Sequence, residues 1–101
     1  MTNTAIDTYT FKLAEGVNEE TFLTTTGAVK TFLSAQAGFV SRNLSKSEDG
    51  RWLDCITWKS MPDSLAASQV FMEEATVRPY LQSIDMSDIQ IGRFETVTAE
   101  G

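Results

Sequence analysis

The stretch that decides the fold is GFVSRNLSKSEDGRWLDCITWKSMPD, residues 38–63. It holds two strand-like runs, 39–47 and 51–60, separated by Glu48-Asp49-Gly50. An Asp-Gly pair between two such runs signals a hairpin, because glycine takes positive φ without a Cβ clash. In the second run Trp52, Asp54, Ile56 and Trp58 alternate with Leu53, Cys55 and Thr57, which puts the two sets on opposite faces. Trp58-Lys59-Ser60 then runs straight into a helix start. Ser60 is the N-cap, Asp63 stands three residues on, and Pro62 falls in the first turn, where its missing N–H removes no helical bond.

The flanking segments complete a pattern. Residues 4–13 read as a strand, with Tyr9, Phe11 and Leu13 on one face and Thr8, Thr10 and Lys12 on the other. After Glu15-Gly16, Asn18 caps a first helix, Glu19 and Glu20 complement its dipole, and Val17 and Phe22 are placed for a hydrophobic staple. Phe22, Val29, Phe32 and Leu33 form its apolar stripe. Thr24-Thr25-Thr26-Gly27 is its weak point, read either as close packing on the sheet or as room for a ligand. The second helix carries Met61, Leu65, Ser68, Met72 and Ala75 on one stripe, with Ser64 and Phe71 beside it. Arg78-Pro79 ends or kinks it, and Tyr80-Leu81-Gln82 adds a last turn. Residues 87–97 form the fourth strand, with Ile89 and Ile91 on one face and Phe94 on the other. The order β-α-β-β-α-β predicts one α+β domain over residues 1–101, ferredoxin-like, with a four-stranded antiparallel sheet and two helices on one face.

Composition narrows the chemistry. The chain of 101 residues carries 14 acidic and 8 basic side chains, a formal charge of −6. Such a surface repels phosphate backbones and anionic lipid, which argues against nucleic-acid and membrane partners. Histidine is absent, removing the commonest general base, metal ligand and haem ligand together. No metal site and no cofactor are expected. Cys55 has no cysteine to pair with and reads as a buried, inert thiol. The N-terminal stretch Met-Thr-Asn-Thr-Ala-Ile-Asp has neither a basic nor an apolar region of the signal-peptide kind, so the expected compartment is the cytoplasm, and the Asn43-Leu44-Ser45 sequon is chance. Three strands carry apolar or aromatic residues on both faces. That predicts a homodimer through the sheet face, since an exposed apolar patch marks an interface.

In the order of Gly38-Phe39, Trp58-Lys59-Ser60 and Arg78-Pro79-Tyr80-Leu81, the sequence resembles the dimeric α+β-barrel superfamily, and within it the antibiotic-biosynthesis-monooxygenase-like domains, over about residues 5–97. The resemblance implies sheets paired into a barrel across a two-fold axis. Some members oxidise aromatic polyketide-type phenols without a cofactor, some degrade haem, and many have no known activity. Trp58 matches the tryptophan that lines the pocket of catalytic members. Where many members place a histidine on the second helix, this chain has Ser68, and where catalytic members often have a strand asparagine it has Tyr9. Haem degradation is therefore disfavoured.

Cofactor-free oxygenation asks the protein only to bind a ring, remove a proton and stabilise an anion. Asp54 and Trp58 are the candidate catalytic residues, as base and aromatic wall. Tyr9, Arg42, Trp58, Ser68, Phe71 and Met72 are the candidate ligand-binding residues, with Arg93 the alternative to Arg42 as anion holder. Each has a structural reading beside it. Asp54 pairs with an arginine, Trp58 and Tyr9 are core aromatics, and Ser68 allows close packing. Two functions stay open: an oxygenase-like enzyme on a small aromatic or enolic ligand, and a non-catalytic ligand-binding or interaction module of the same fold.

Overall fold

The computed structural model describes residues 3–101. Met1 and Thr2, where the signal-peptide reading begins, lie outside the described residues. Four strands, β1 (Ala5–Phe11), β2 (Phe39–Lys46), β3 (Trp52–Trp58) and β4 (Gln90–Glu95), form one sheet in the order β2-β3-β1-β4. All neighbours are antiparallel. Helices α1 (Glu19–Thr24), α2 (Thr26–Ser34), α3 (Met61–Phe71) and α4 (Arg78–Gln82) occupy the connections. This is the expected ferredoxin-like arrangement.

The decisive hairpin forms as its residues dictate. Gly50 turns at φ +88°, and Asp49 accepts from the Ser47 hydroxyl. Gly38, at φ +81°, opens β2 against the start of α3, where a Cβ would sit 2.1 Å from the Asp63 carboxylate. Ser60 caps α3, accepting from the Asp63 amide at 3.3 Å. Asn18 caps α1, accepting from Thr21 at 2.8 Å.

Register fixes which residues meet. On the helix-covered face Asp7 stands between Ile56 and Arg93, and Tyr9 between Asp54 and Ile91. The core lies between this face and the helices, around Phe11, Phe22, Val29, Leu33 and Trp58. Phe22 packs on Trp52 at 4.9 Å and on Tyr80 at 5.4 Å between centroids. Aromatic contacts of this kind add about 0.5–1.5 kcal/mol each beyond the area they bury. The opposite face carries Ile6, Cys55 and the exposed Leu53 and Phe94.

Three local expectations are corrected. The first helix is broken at Thr25. The hydroxyls of Thr24, Thr25 and Thr26 each donate to the carbonyl three residues back, competing with the helical ladder. Gly27 is exposed, with nothing within 4 Å of where a Cβ would stand, so it serves no close packing on the sheet. The buried face of α3 is rotated from the expected stripe. Ser64 and Ala67 are buried while Leu65 and Met72 are exposed, because Ser64 is drawn inward by polar partners on the sheet. Finally, α3 stops at Phe71, and Pro79 stands in the first turn of the separate helix α4. There its fixed φ and missing N–H suit a helix start.

Candidate functional site

A cavity of about 430 Å³ lies between the helices and the sheet. Its walls are largely aliphatic and aromatic, with Asp7, Tyr9, Asp54 and Arg93 on the sheet side. Met72, Met86 and Ile91 line it while being 67%, 49% and 64% exposed, so they form its rim.

Two buried carboxylates organise the sheet wall. Asp54 Oδ1 accepts from Arg42 Nε at 2.9 Å, and its Oδ2 from Arg42 Nη2 at 2.8 Å and from the Tyr80 hydroxyl at 2.6 Å. The third guanidinium nitrogen, Arg42 Nη1, donates to the Thr26 carbonyl at 3.3 Å. Every nitrogen of this arginine is thus engaged. Burial works against its charge, but the Asp54 carboxylate more than offsets this and holds its pKa above the ordinary value. Burial, and then the neighbouring Asp54 charge, push the Tyr80 phenol well above its ordinary pKa, so it stays protonated and donates.

The second hub is Asp7. Its Oδ1 accepts from the Ser64 hydroxyl at 2.7 Å and from Arg93 Nε at 3.1 Å, and its Oδ2 accepts from the Trp58 indole N–H at 3.1 Å. Arg93 Nε also donates to Ser64 Oγ at 2.9 Å. Asp7 and Ser64 take only Nε. No described carboxylate or carbonyl accepts from the amino groups of Arg93, and Arg93 lines the cavity. Tyr9, two residues from Asp7 on the same strand face, lines the cavity beside it, and its hydroxyl stands within hydrogen-bonding reach of Arg93. Burial first, then the Asp7 charge, raise the Tyr9 pKa, with Arg93 pulling the other way. Tyr9 therefore stays a neutral donor. The cavity has one polar side, with a cation, a phenol and two hydrogen-bonded carboxylates, and a largely apolar remainder.

Of the sequence-predicted residues, Tyr9, Asp54, Trp58, Ser68, Phe71 and Met72 all line this cavity. Arg42 does not. It borders a separate hollow of about 370 Å³ with Lys30 and Phe39. The Ser68 hydroxyl turns back to the Leu65 carbonyl at 2.9 Å. Phe71 stands edge-on to Phe32 at 5.4 Å. Trp58 is buried, its N–H taken by Asp7 and its ring edge-on to Phe39 at 5.8 Å. Sequence reading missed Asp7, Ser64 and Tyr80. The strand alternation Ala5, Asp7, Tyr9, Phe11 carried the signal for Asp7. Among the described residues, no group of three or more His, Cys, Asp or Glu side chains is placed to hold a metal ion.

No family model matches the sequence, and no curated protein matches it. Solved structures do. SnoaB, a cofactor-independent oxygenase from Streptomyces nogalater, aligns with a TM-score of 0.74 at 16% identity, over 98% of this chain and 95% of that one. A Bordetella bronchiseptica protein assigned as an antibiotic biosynthesis monooxygenase aligns at 0.77 and 11% identity, over 95% and 99%. This chain has their fold. A dimeric ferredoxin-like protein from an uncultured marine organism shares it too, at 0.68 and 13% identity, over 97% and 91%. Identities this low speak for the antibiotic-biosynthesis-monooxygenase fold and not for an activity, because one fold hosts many chemistries. No helix among the described residues is long and apolar enough to cross a membrane.

Proposed function

We propose that this protein binds a small aromatic or enolic compound in the cavity between helices and sheet and oxygenates it without a cofactor. The observation that carries the reading is the one-sided polarity of the cavity: the Arg93 guanidinium, whose amino groups no carboxylate or carbonyl holds, and the Tyr9 hydroxyl stand on the sheet side with Asp7 and Asp54, and the other walls are largely apolar. A volume near 430 Å³ falls within the roughly 300–1,000 Å³ of small-molecule sites.

In this reading the ligand oxygen meets Arg93 and Tyr9, which stabilise it as a phenolate or enolate. Asp54, opposite Tyr9 across the β1–β3 pair, takes the proton. Trp58 and Phe71 wall the ring. The electron-rich carbon passes one electron to dioxygen, and the radical pair joins to form a peroxide. One oxygen atom stays as a carbonyl. The other leaves as water with the two hydrogens of the original CH₂. Oxygen uptake with an anthrone-type substrate tests this, with Trp58→Ala and Asp54→Asn expected to slow it. Wild-type rates in both variants would remove these two residues from the mechanism.

One observation favours a second reading, a binding module without turnover. Three of the roughly four acceptor positions of Asp54 are already filled by Arg42 and Tyr80. A ligand that raises the melting temperature and is recovered unchanged supports that reading. The partner in either case is a second copy of the chain, seated on the outer sheet face. Leu53 and Phe94 are 37% and 57% exposed there, and a structural neighbour is dimeric. Light scattering that returns a monomer mass refutes the pairing.

A further inference from the structure

Ser64 is out of place for a core residue. It is completely buried at the end of the first turn of α3, where burial favours alanine, and alanine does stand one turn on at Ala67. Packing alone does not explain a hydroxyl there. Its bonds do. Ser64 Oγ donates to Asp7 Oδ1 at 2.7 Å and accepts from Arg93 Nε at 2.9 Å, while Arg93 Nε reaches Asp7 Oδ1 at 3.1 Å. The three groups close a triangle whose corners come from α3, β1 and β4.

A guanidinium has a rigid planar fork. The single Nε–H is shared between Ser64 Oγ and Asp7 Oδ1, and holding it between two fixed acceptors sets the plane of the whole group and the direction of both amino groups. The Trp58 indole N–H holds the far oxygen of Asp7 at 3.1 Å, so the carboxylate cannot turn to follow a wandering arginine. A lone ion pair would leave Arg93 free to swing, since its side chain is 29% exposed and the rim is open. We infer that Ser64, through Asp7 and Arg93 Nε, is the positioning residue that sets the site's preference for an ionised ligand oxygen over a neutral one. The inference rests on the ligand reading proposed above, and it adds a residue that touches no ligand.

The test uses the full chain and two probes of nearly equal shape. One is 4-nitrophenol, whose absorbance reports its own ionisation; the other is 4-nitroanisole, which cannot ionise. Wild-type protein is expected to bind 4-nitrophenol as the phenolate, to lower the bound probe's apparent pKa, and to bind 4-nitroanisole more weakly. Ser64→Ala is expected to cut the preference between the probes by roughly tenfold, the size expected when one charge-assisted hydrogen bond is lost. It should also shrink the shift of the bound probe's pKa, while 4-nitroanisole affinity stays the same. Arg93→Lys is the second variant. It keeps the charge but not the fork, and it too is expected to lose the preference. If Ser64→Ala or Arg93→Lys keeps the wild-type preference and pKa shift, positioning by Ser64 is wrong while the binding site stands. Should neither probe bind wild-type protein, the ligand reading falls and this inference with it.

Discussion

Asp54 and Asp7 sit on neighbouring strands, face the same side of the sheet and are both 2% exposed, yet they use their arginines differently. Asp54 takes two nitrogens of Arg42, whose third goes to a backbone carbonyl. Asp7 takes only Nε of Arg93, and no described carboxylate or carbonyl takes its amino groups. The first arrangement closes on itself, and the second stops one step short. An arginine whose three nitrogens are all held by protein acceptors is fixed in place, whereas one held by Nε alone keeps more donors for a ligand. The difference traces to position. Both arginines lie on edge strands, but Arg42 lies beneath the break between α1 and α2, where Thr26 supplies an acceptor, while no backbone carbonyl accepts from Arg93.

The comparison breaks first at Arg42. Arg42→Ala leaves Asp54 buried without its counter-charge, and we expect a loss of about 3–5 kcal/mol in chemical denaturation. A loss below about 1 kcal/mol would mean that the two hubs do not differ as described. Next comes Tyr80→Phe, which removes one donor from Asp54 and should cost about 1–3 kcal/mol. It also has a pH signature. The folded-state pKa of Tyr80 lies above the ordinary phenol value of 10.0. Its contribution is fully present below pH 10.0 and is lost as pH rises above that value, because the unfolded chain then releases the proton first. Wild-type stability should therefore fall in alkali, and Tyr80→Phe should fall less steeply; equal slopes would assign the effect elsewhere.

Arg93→Ala should be milder, about 1–2 kcal/mol, since Asp7 keeps Ser64 and Trp58 as donors and the arginine is partly solvated. The same variant should lose phenolate binding by more than about tenfold in a titration of 4-nitrophenol. The smallest effect is Tyr9→Phe, within about 0.5 kcal/mol in stability and a few-fold in phenolate affinity. A large stability loss there would show the hydroxyl to be structural.

The fold was legible because its signals were local. The Asp-Gly turn, the Ser60 and Asn18 caps and the alternation through Trp52 to Trp58 each act within a few residues. The aromatic side of the cavity followed, since Tyr9, Trp58 and Phe71 fall where their periodicity puts them. The polar wiring did not. Whether Arg42 or Arg93 faces the cavity depends on which acceptors stand nearby in space, and those come from β1, α2 and α3. Ser64 was placed beside the stripe rather than at its centre because apolar periodicity alone counts Leu65 and Met72 as inward. The pull of Asp7 and Arg93 on one hydroxyl rotated that helix, and a hydropathy pattern carries no record of it.

The ion pair that shapes the cavity joins residues 86 positions apart, and β4 reaches the sheet only by pairing with β1. The hairpin β2–β3 can form from its own neighbourhood, but closing a loop of nearly the whole chain is slow. During synthesis the cavity has no cationic end until Arg93 has left the ribosome, so a nascent chain with its first three strands in place still lacks the Asp7–Arg93 pair. That pair can thus form only after the other three strands have been made.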